Sequence, residues 1–158
     1  MNIICFHNPN EENGYLSNWY LSKFEVKGIT YSSMEQYMMY QKAITFYDEK
    51  IAKKILETDD VAMIKDYGRK VSNYNQTIWN GVRQVIVYEG LLEKFKQNED
   101  LKQLLLNTND SVLAECAVKD CIWGIGLSMK SKDRFDMSKW KGTNLLGFSL
   151  MLVREKLK

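Results

Sequence analysis

Apolar and polar positions follow two rhythms along this chain, and the change from one to the other marks its elements. Residues 1–6 are a short apolar run, which predicts a strand. Asn8-Pro9-Asn10 and the polar stretch to Gly14 predict a loop. Phe24-Glu25-Val26 and Ile29-Thr30-Tyr31 flank Lys27-Gly28, a two-residue hairpin signal. From 31 to 46 the spacing changes to that of an amphipathic helix, with Glu35, Met39 and Lys42 at i, i+4 and i+7 on one face. Its start carries two overlapping capping boxes, Ser32 with Glu35 and Ser33 with Gln36. Asp48 caps a second predicted helix reaching Glu57, and Asp59 or Asp60 caps a third running towards Val71. Asn75 or Thr77 opens a long helix in which Val87, Leu91 and Phe95 continue an apolar stripe. Gly81 and Gly90 each weaken its continuity by about 1 kcal/mol. Residues 94–98 read as that helix's end.

The rest is less regular. Residues 100–106 predict a short helix and 111–118 a strand. Residues 119–126 are irregular and apolar, and 128–140 are polar without period, a loop or lid. Thr143 or Asn144 opens a last helix with a broad apolar face and basic residues near its end. Helix dominates over four or five short strands, with no βαβ alternation. The fold class expected is mainly α (α+β): a compact multi-helix single domain over 1–158.

Composition narrows the function classes. The 158 residues carry 45% hydrophobic and 27% charged positions, ordinary for a globular protein. A formal charge of +2 does not support bulk electrostatic binding to nucleic acid or membrane. No apolar run approaches the roughly 18 residues of a membrane span, and the opening has no signal-peptide pattern. Cys5, Cys116 and Cys121 have no metal-ligand spacing and His7 is the single histidine, so no metal or cofactor is expected. Free thiols fit a cytoplasmic protein.

Polar residues embedded among aromatics mark the candidate chemistry. They are Asn18 beside Trp19 and Tyr20; Glu35 with Lys42; Arg69 with Trp79 and Arg83; Asp120 with Trp123 and Gly124; and Asn144, where 140–144 enters the last helix. Tryptophan offers a stacking face, Arg and Lys suit phosphate, and free N–H groups at a helix N-terminus are an anion site. Two carboxylates, Glu35 and Asp120, can share acid and base work. Each has a structural reading beside it: Glu35 as cap partner, Lys42 as a solvated lysine, Trp79 and Trp123 as core, Asp120 as a turn residue, Asn144 as a helix cap. The set suits a nucleotide-like small molecule.

Read in order, the segments Gly14 to Trp19, Ser33-Met34-Glu35-Gln36-Tyr37, Gln41-Lys42-Ala43, Gly68-Arg69, Trp79 and Arg83 resemble the NADAR, or YbiA-like, family. So do Lys94-Phe95, Leu113-Ala114-Glu115 and the last-helix Arg154. The pattern D-x-x-W-G-x-G from Asp120, followed by W-x-G-x-N-x-L-G from Trp140, is its most specific part. The resemblance implies a compact, mainly helical fold. It also implies N-glycosidase chemistry on phosphoribosylated aminopyrimidines of the riboflavin pathway or on ADP-ribosylated heterocycles, with nucleic acid entering only as an ADP-ribosylated substrate.

It carries Glu35, Trp79, Asp120 and Trp123 as active-site residues, with Lys42, Arg69 and Asn144 as further contacts. Asp120 is expected to stabilise an oxocarbenium-like sugar and orient water. Glu35 shares that work or protonates the leaving amine. Lys42, Arg69 and the last helix's N-terminus are expected to hold phosphate. Gln36 stands where the family often has His, so the chemistry expected does not use that imidazole. Met39-Tyr40 and Trp19 also depart from the common pattern and bear on substrate identity. The rival reading is a non-catalytic module that binds ADP-ribose or NAD as a sensor.

Overall fold

The computed structural model describes residues 1–158 and contains six α-helices, four short strands and three 3-10 turns. The chain divides into two compact units, Met1–Tyr20 with Glu99–Lys158, and Leu21–Asn98. No helix is long and apolar enough to cross a membrane.

β1 (Ile3–Phe6) belongs to the other unit; in the unit Leu21–Asn98, β2 (Leu21–Val26) and β3 (Ile29–Ser33) form an antiparallel hairpin in which Phe24 faces Tyr31 and Val26 faces Ile29. Lys27 and Gly28 both have positive φ, the backbone that matches the twist of a two-residue hairpin. β3 runs directly into α1 (Met34–Thr45), and α2 (Glu49–Leu56), α3 (Val61–Arg69) and α4 (Gln76–Gln97) follow. α1 packs against all three. It is almost wholly enclosed at its start, where Met34 to Met39 are all buried. Tyr31 and Tyr37 meet edge to face with ring centroids 5.1 Å apart, beside Phe24.

Side-chain caps set the helix starts. Ser33 accepts the Gln36 N–H, Asp48 that of Ile51, Asp60 that of Met63 and Asn75 that of Ile78. Of the two capping boxes open to α1, the structure uses Ser33 with Gln36. Gln36 Oε1 reaches back to accept the Ser32 N–H at 2.7 Å, and its Nε2 donates to the Ile55 and Thr58 carbonyls at the end of α2. This glutamine therefore joins two helices.

In the other unit, β1 (Ile3–Phe6) pairs in parallel with β4 (Val112–Glu115), Ile3 opposite Val112 and Phe6 opposite Glu115. α5 (Glu99–Leu106) precedes β4, and α6 (Leu145–Leu157) packs upon β4. Their contact is close: a Cβ on Gly147 would run into the Leu113 carbonyl and the Asn144 carboxamide. Arg154 is buried and donates from Nη1 to Thr108 Oγ1 at 2.8 Å and to the Ser111 carbonyl at 2.9 Å, tying α6 to the turn before β4. The stretch 128–140 contains two 3-10 turns, Lys132–Phe135 and Met137–Lys139, capped by Ser131 and Asp136.

The two glycines of α4 differ in kind, and neither breaks it. Gly81 is exposed, with open space around its Cβ position. Gly90 is buried, and a Cβ there would enter the Tyr37 ring. Gly81→Ala is therefore expected to raise stability by up to about 1 kcal/mol. Gly90→Ala is expected to lower it by about 1–3 kcal/mol through overpacking. Urea melts of the two variants check this contrast.

Candidate functional site

In the unit Leu21–Asn98 the site is built from α1. Glu35 lies in its first turn and is 5% exposed. Negative charge there is favoured by the helix dipole. Two turns on, Lys42 Nζ donates to the Gly68 carbonyl at 2.8 Å and lies 4.7 Å from the centroid of the Tyr74 ring. Gly68 belongs to the last turn of α3, so this ammonium meets the carbonyl end of that helix. Lys42 is not a solvated surface lysine. Burial pushes its pKa down, while the charge of Glu35 pushes it up. Met39, between them, packs against Gly68, where a Cβ would meet its sulfur.

The arginines stand differently. Arg69 pairs with Asp66 at 2.8 Å, and the two side chains are 66% and 61% exposed. Surface pairs of this kind contribute little to stability. Arg83 donates from Nη1 to Asn80 Oδ1 at 2.8 Å, while its Nε is buried without a partner. Trp79, one turn before Arg83 on α4, is buried.

In the other unit, Asp120 shapes the loop that carries Trp123. Its Oδ1 accepts the N–H of Ile122 at 3.0 Å and of Trp123 at 2.8 Å. Both readings of Asp120 remain, because one oxygen makes a turn and the carboxylate has two. The carbonyls of this loop then take the N–H groups at the start of α6. Thr143 donates to Cys121, Asn144 to Gly124, Leu145 to Ile122 and Leu146 to Trp123, all at 2.8–3.1 Å. Gly142 makes this possible, since a Cβ there would strike the Gly124 carbonyl.

This lacing corrects one expectation. The N-terminus of the last helix is not an open anion site, because its first N–H groups are already paired with loop carbonyls. Asn144 is also not a side-chain cap. It sits at φ 53° and makes no capping bond. Its carboxamide instead accepts the Glu115 N–H at 3.1 Å and donates to the Leu113 carbonyl at 2.9 Å, extending the edge of β4. It is 0% exposed. Asn18 is buried too, but its Oδ1 has no hydrogen-bond partner.

Comparison with known proteins identifies the family. The NADAR domain pattern matches residues 5–158. The chain belongs to the NADAR family. This NADAR chain is 40% identical over 161 residues to N-glycosidase R617 of Acanthamoeba polyphaga mimivirus, covering 97% of this chain and 95% of that one. It is 33% identical to riboflavin biosynthesis protein VVA0006 of Vibrio vulnificus, covering 98% of this chain but 38% of that longer protein. The NMR structure of the Escherichia coli protein YbiA superposes with a TM-score of 0.81 at 31% identity, covering 99% of this chain and 84% of that one. The mainly helical fold with a few short strands is thus that of YbiA. N-glycosidases, the name carried by relatives matched over nearly their whole length, are hydrolases of N-glycosyl bonds.

One buried charge in this NADAR chain escaped the sequence reading. Lys94, read there as part of a helix end, is 0% exposed. The signal was present: Val87, Leu91 and Lys94 stand at i, i+4 and i+7, so the lysine lies on the apolar stripe of α4. Burial pushes its pKa down from 10.5 to about 7. Between those values the unfolded chain binds the extra proton, so this group makes stability rise with pH, by up to about 1.4 kcal/mol per unit. Urea melts from pH 6 to pH 10 are expected to show that rise above pH 7. Lys94→Met is expected to remove it and to be relatively most stabilising below pH 7. A pH-independent difference between the two proteins would refute the assignment.

Proposed function

We propose that this chain is an N-glycosidase that hydrolyses the C1′–N bond of phosphoribosylated aminopyrimidines or related ADP-ribosylated heterocycles, in a cytoplasm that keeps its cysteines reduced. The observation that carries the reading is Glu35: a carboxylate buried in the first turn of a helix, on one face with an ammonium that feels its charge. Cleavage of C1′–N builds positive charge on the sugar, and a carboxylate held away from bulk water stabilises such charge strongly. Family membership and the N-glycosidase names of its relatives support the same chemistry.

In this reading Glu35 faces the developing oxocarbenium-like centre. Asp120 has one oxygen pinned by two backbone N–H groups, which fixes the direction of the other. It orients the attacking water and takes its proton as the bond to the leaving nitrogen breaks. That nitrogen keeps the bonding electrons and is protonated as the heterocycle departs. Trp123 and Trp79 are the stacking candidates for the heterocycle, with Gly124 giving the backbone beside Trp123 room. Lys42 has spent one of three donors on Gly68 and offers the others to phosphate. Arg83, with an unpartnered Nε, is a second donor for it, and Arg69 contributes only by leaving Asp66. Asn144 acts through the loop it anchors.

The protein incubated with aminopyrimidine ribotide, ADP-ribosyl-guanosine and NAD is expected to release sugar from at least one, read by mass spectrometry. Glu35→Gln and Asp120→Asn are each expected to lower kcat by about a hundredfold or more with little change in Tm. Full activity in both variants sinks the assignment. Calorimetric binding of ADP-ribose without any turnover would instead make the chain a sensor module.

A further inference from the structure

Most buried polar side chains here are satisfied by backbone. Gln36 and Asn144 each bond to carbonyls or N–H groups of other elements, and Asp48 accepts two backbone N–H groups. Asn18 departs from that pattern. It is 7% exposed, yet its Oδ1 is buried with no hydrogen-bond partner. Buried acceptors are rarely left so, and each one calls for a cause. Looseness is not the cause, because the segment is held turn upon turn. The Gly14 N–H donates to Glu11, Ser17 to Gly14 and Tyr20 to Ser17, at 2.9–3.2 Å. The Trp19 N–H donates to Ser17 Oγ at 3.1 Å. Gly14 sits so close to Pro9 that a Cβ would enter its carbonyl. The carboxamide is thus held by a stiff frame, in a segment that also carries Tyr15, Trp19 and Tyr20.

We propose that Asn18 reads the amino edge of the leaving heterocycle, its Oδ1 accepting a heterocycle N–H. The inference rests on the N-glycosidase reading and names which part of the substrate is recognised. The chemistry selects the partner. The orphaned atom is an acceptor, so phosphate, which offers acceptors, does not fit it. A carboxamide places a C=O and an NH2 side by side, the arrangement that pairs with an amino group next to a ring acceptor. A site built to accept such a proton discriminates against analogues lacking it, because the buried oxygen then stays unpaired.

Asn18→Leu removes both polar atoms at similar size, and Asn18→Asp keeps an acceptor. With aminopyrimidine ribotide, Asn18→Leu is expected to lower kcat/KM by about tenfold to a hundredfold, mainly through KM. Its Tm without ligand is expected to stay level or rise, since a buried orphan has been removed. Asn18→Asp is expected to recover most of the loss. Binding of ribose 5-phosphate, which lacks the heterocycle, is expected to be unchanged in Asn18→Leu. The proposal is overturned by any of three results: Asn18→Leu within twofold of wild type; ribose 5-phosphate binding weakened as much as substrate binding, which assigns a ribose hydroxyl contact; or a lowered Tm with an activity loss that Asn18→Asp shares. A wild type that releases no sugar sinks the proposed function alone. The Asn18 contact is then read from calorimetric binding of aminopyrimidine ribotide, with the same order of variants required.

Discussion

The start of α6 imposes the constraint on which its unit depends. The first N–H groups of any helix have no partner inside it and must find one elsewhere when buried. Here the carbonyls of Cys121, Ile122, Trp123 and Gly124 supply the partners. The loop and the helix therefore define one another. The loop cannot move without stranding the helix N–H groups, and the helix cannot shift without stranding the loop carbonyls. Asn144 adds a third party by bonding to β4 on both sides of Ala114. Its left-handed backbone turns the chain into the helix at the place where its side chain meets the strand. Trp123 is held both by this arrangement and by the Asp120 carboxylate that accepts its N–H.

α1 plays the corresponding part in the other unit. Its first turn is buried, so its polar residues had to be matched individually. Gln36 is consumed in holding the start of α1 to the end of α2, and Lys42 gives one donor to the last turn of α3. Asp48 accepts both the Ile51 N–H that caps α2 and the Ser72 N–H, and these bonds hold its carboxyl below the usual carboxylate range. Glu35 is carried in the same turn as Gln36, one position before it, so the helix that fixes the scaffold also fixes the carboxylate.

A distinction between structural and chemical polar residues follows. Asn144 and Gln36 are conspicuous in sequence, and each is explained by backbone partners. Glu35, buried on one helix face with Lys42, and Asn18, with an acceptor the fold does not use, are the ones the proposals assign to chemistry. Arg69 was grouped with Trp79 and Arg83 by sequence, yet its guanidinium lies with Asp66 at the surface.

The sequence by itself determined the elements, because their signals are local. The period of apolar residues together with cap residues placed all six helices, and Lys27-Gly28 placed the hairpin turn, since only a few residues tolerate that backbone. The ordered motifs, above all those from Asp120 and Trp140, also determined the family. Only the tertiary structure decided which residues serve the fold. Which capping box α1 uses depends on Ile55 and Thr58, nineteen and twenty-two positions from Gln36. Whether the N–H groups of α6 are open depends on carbonyls some twenty residues earlier, a pairing no periodicity reports. Hydrogen-bond satisfaction of buried groups is a property of segments brought together by folding, and so lies beyond what local pattern encodes.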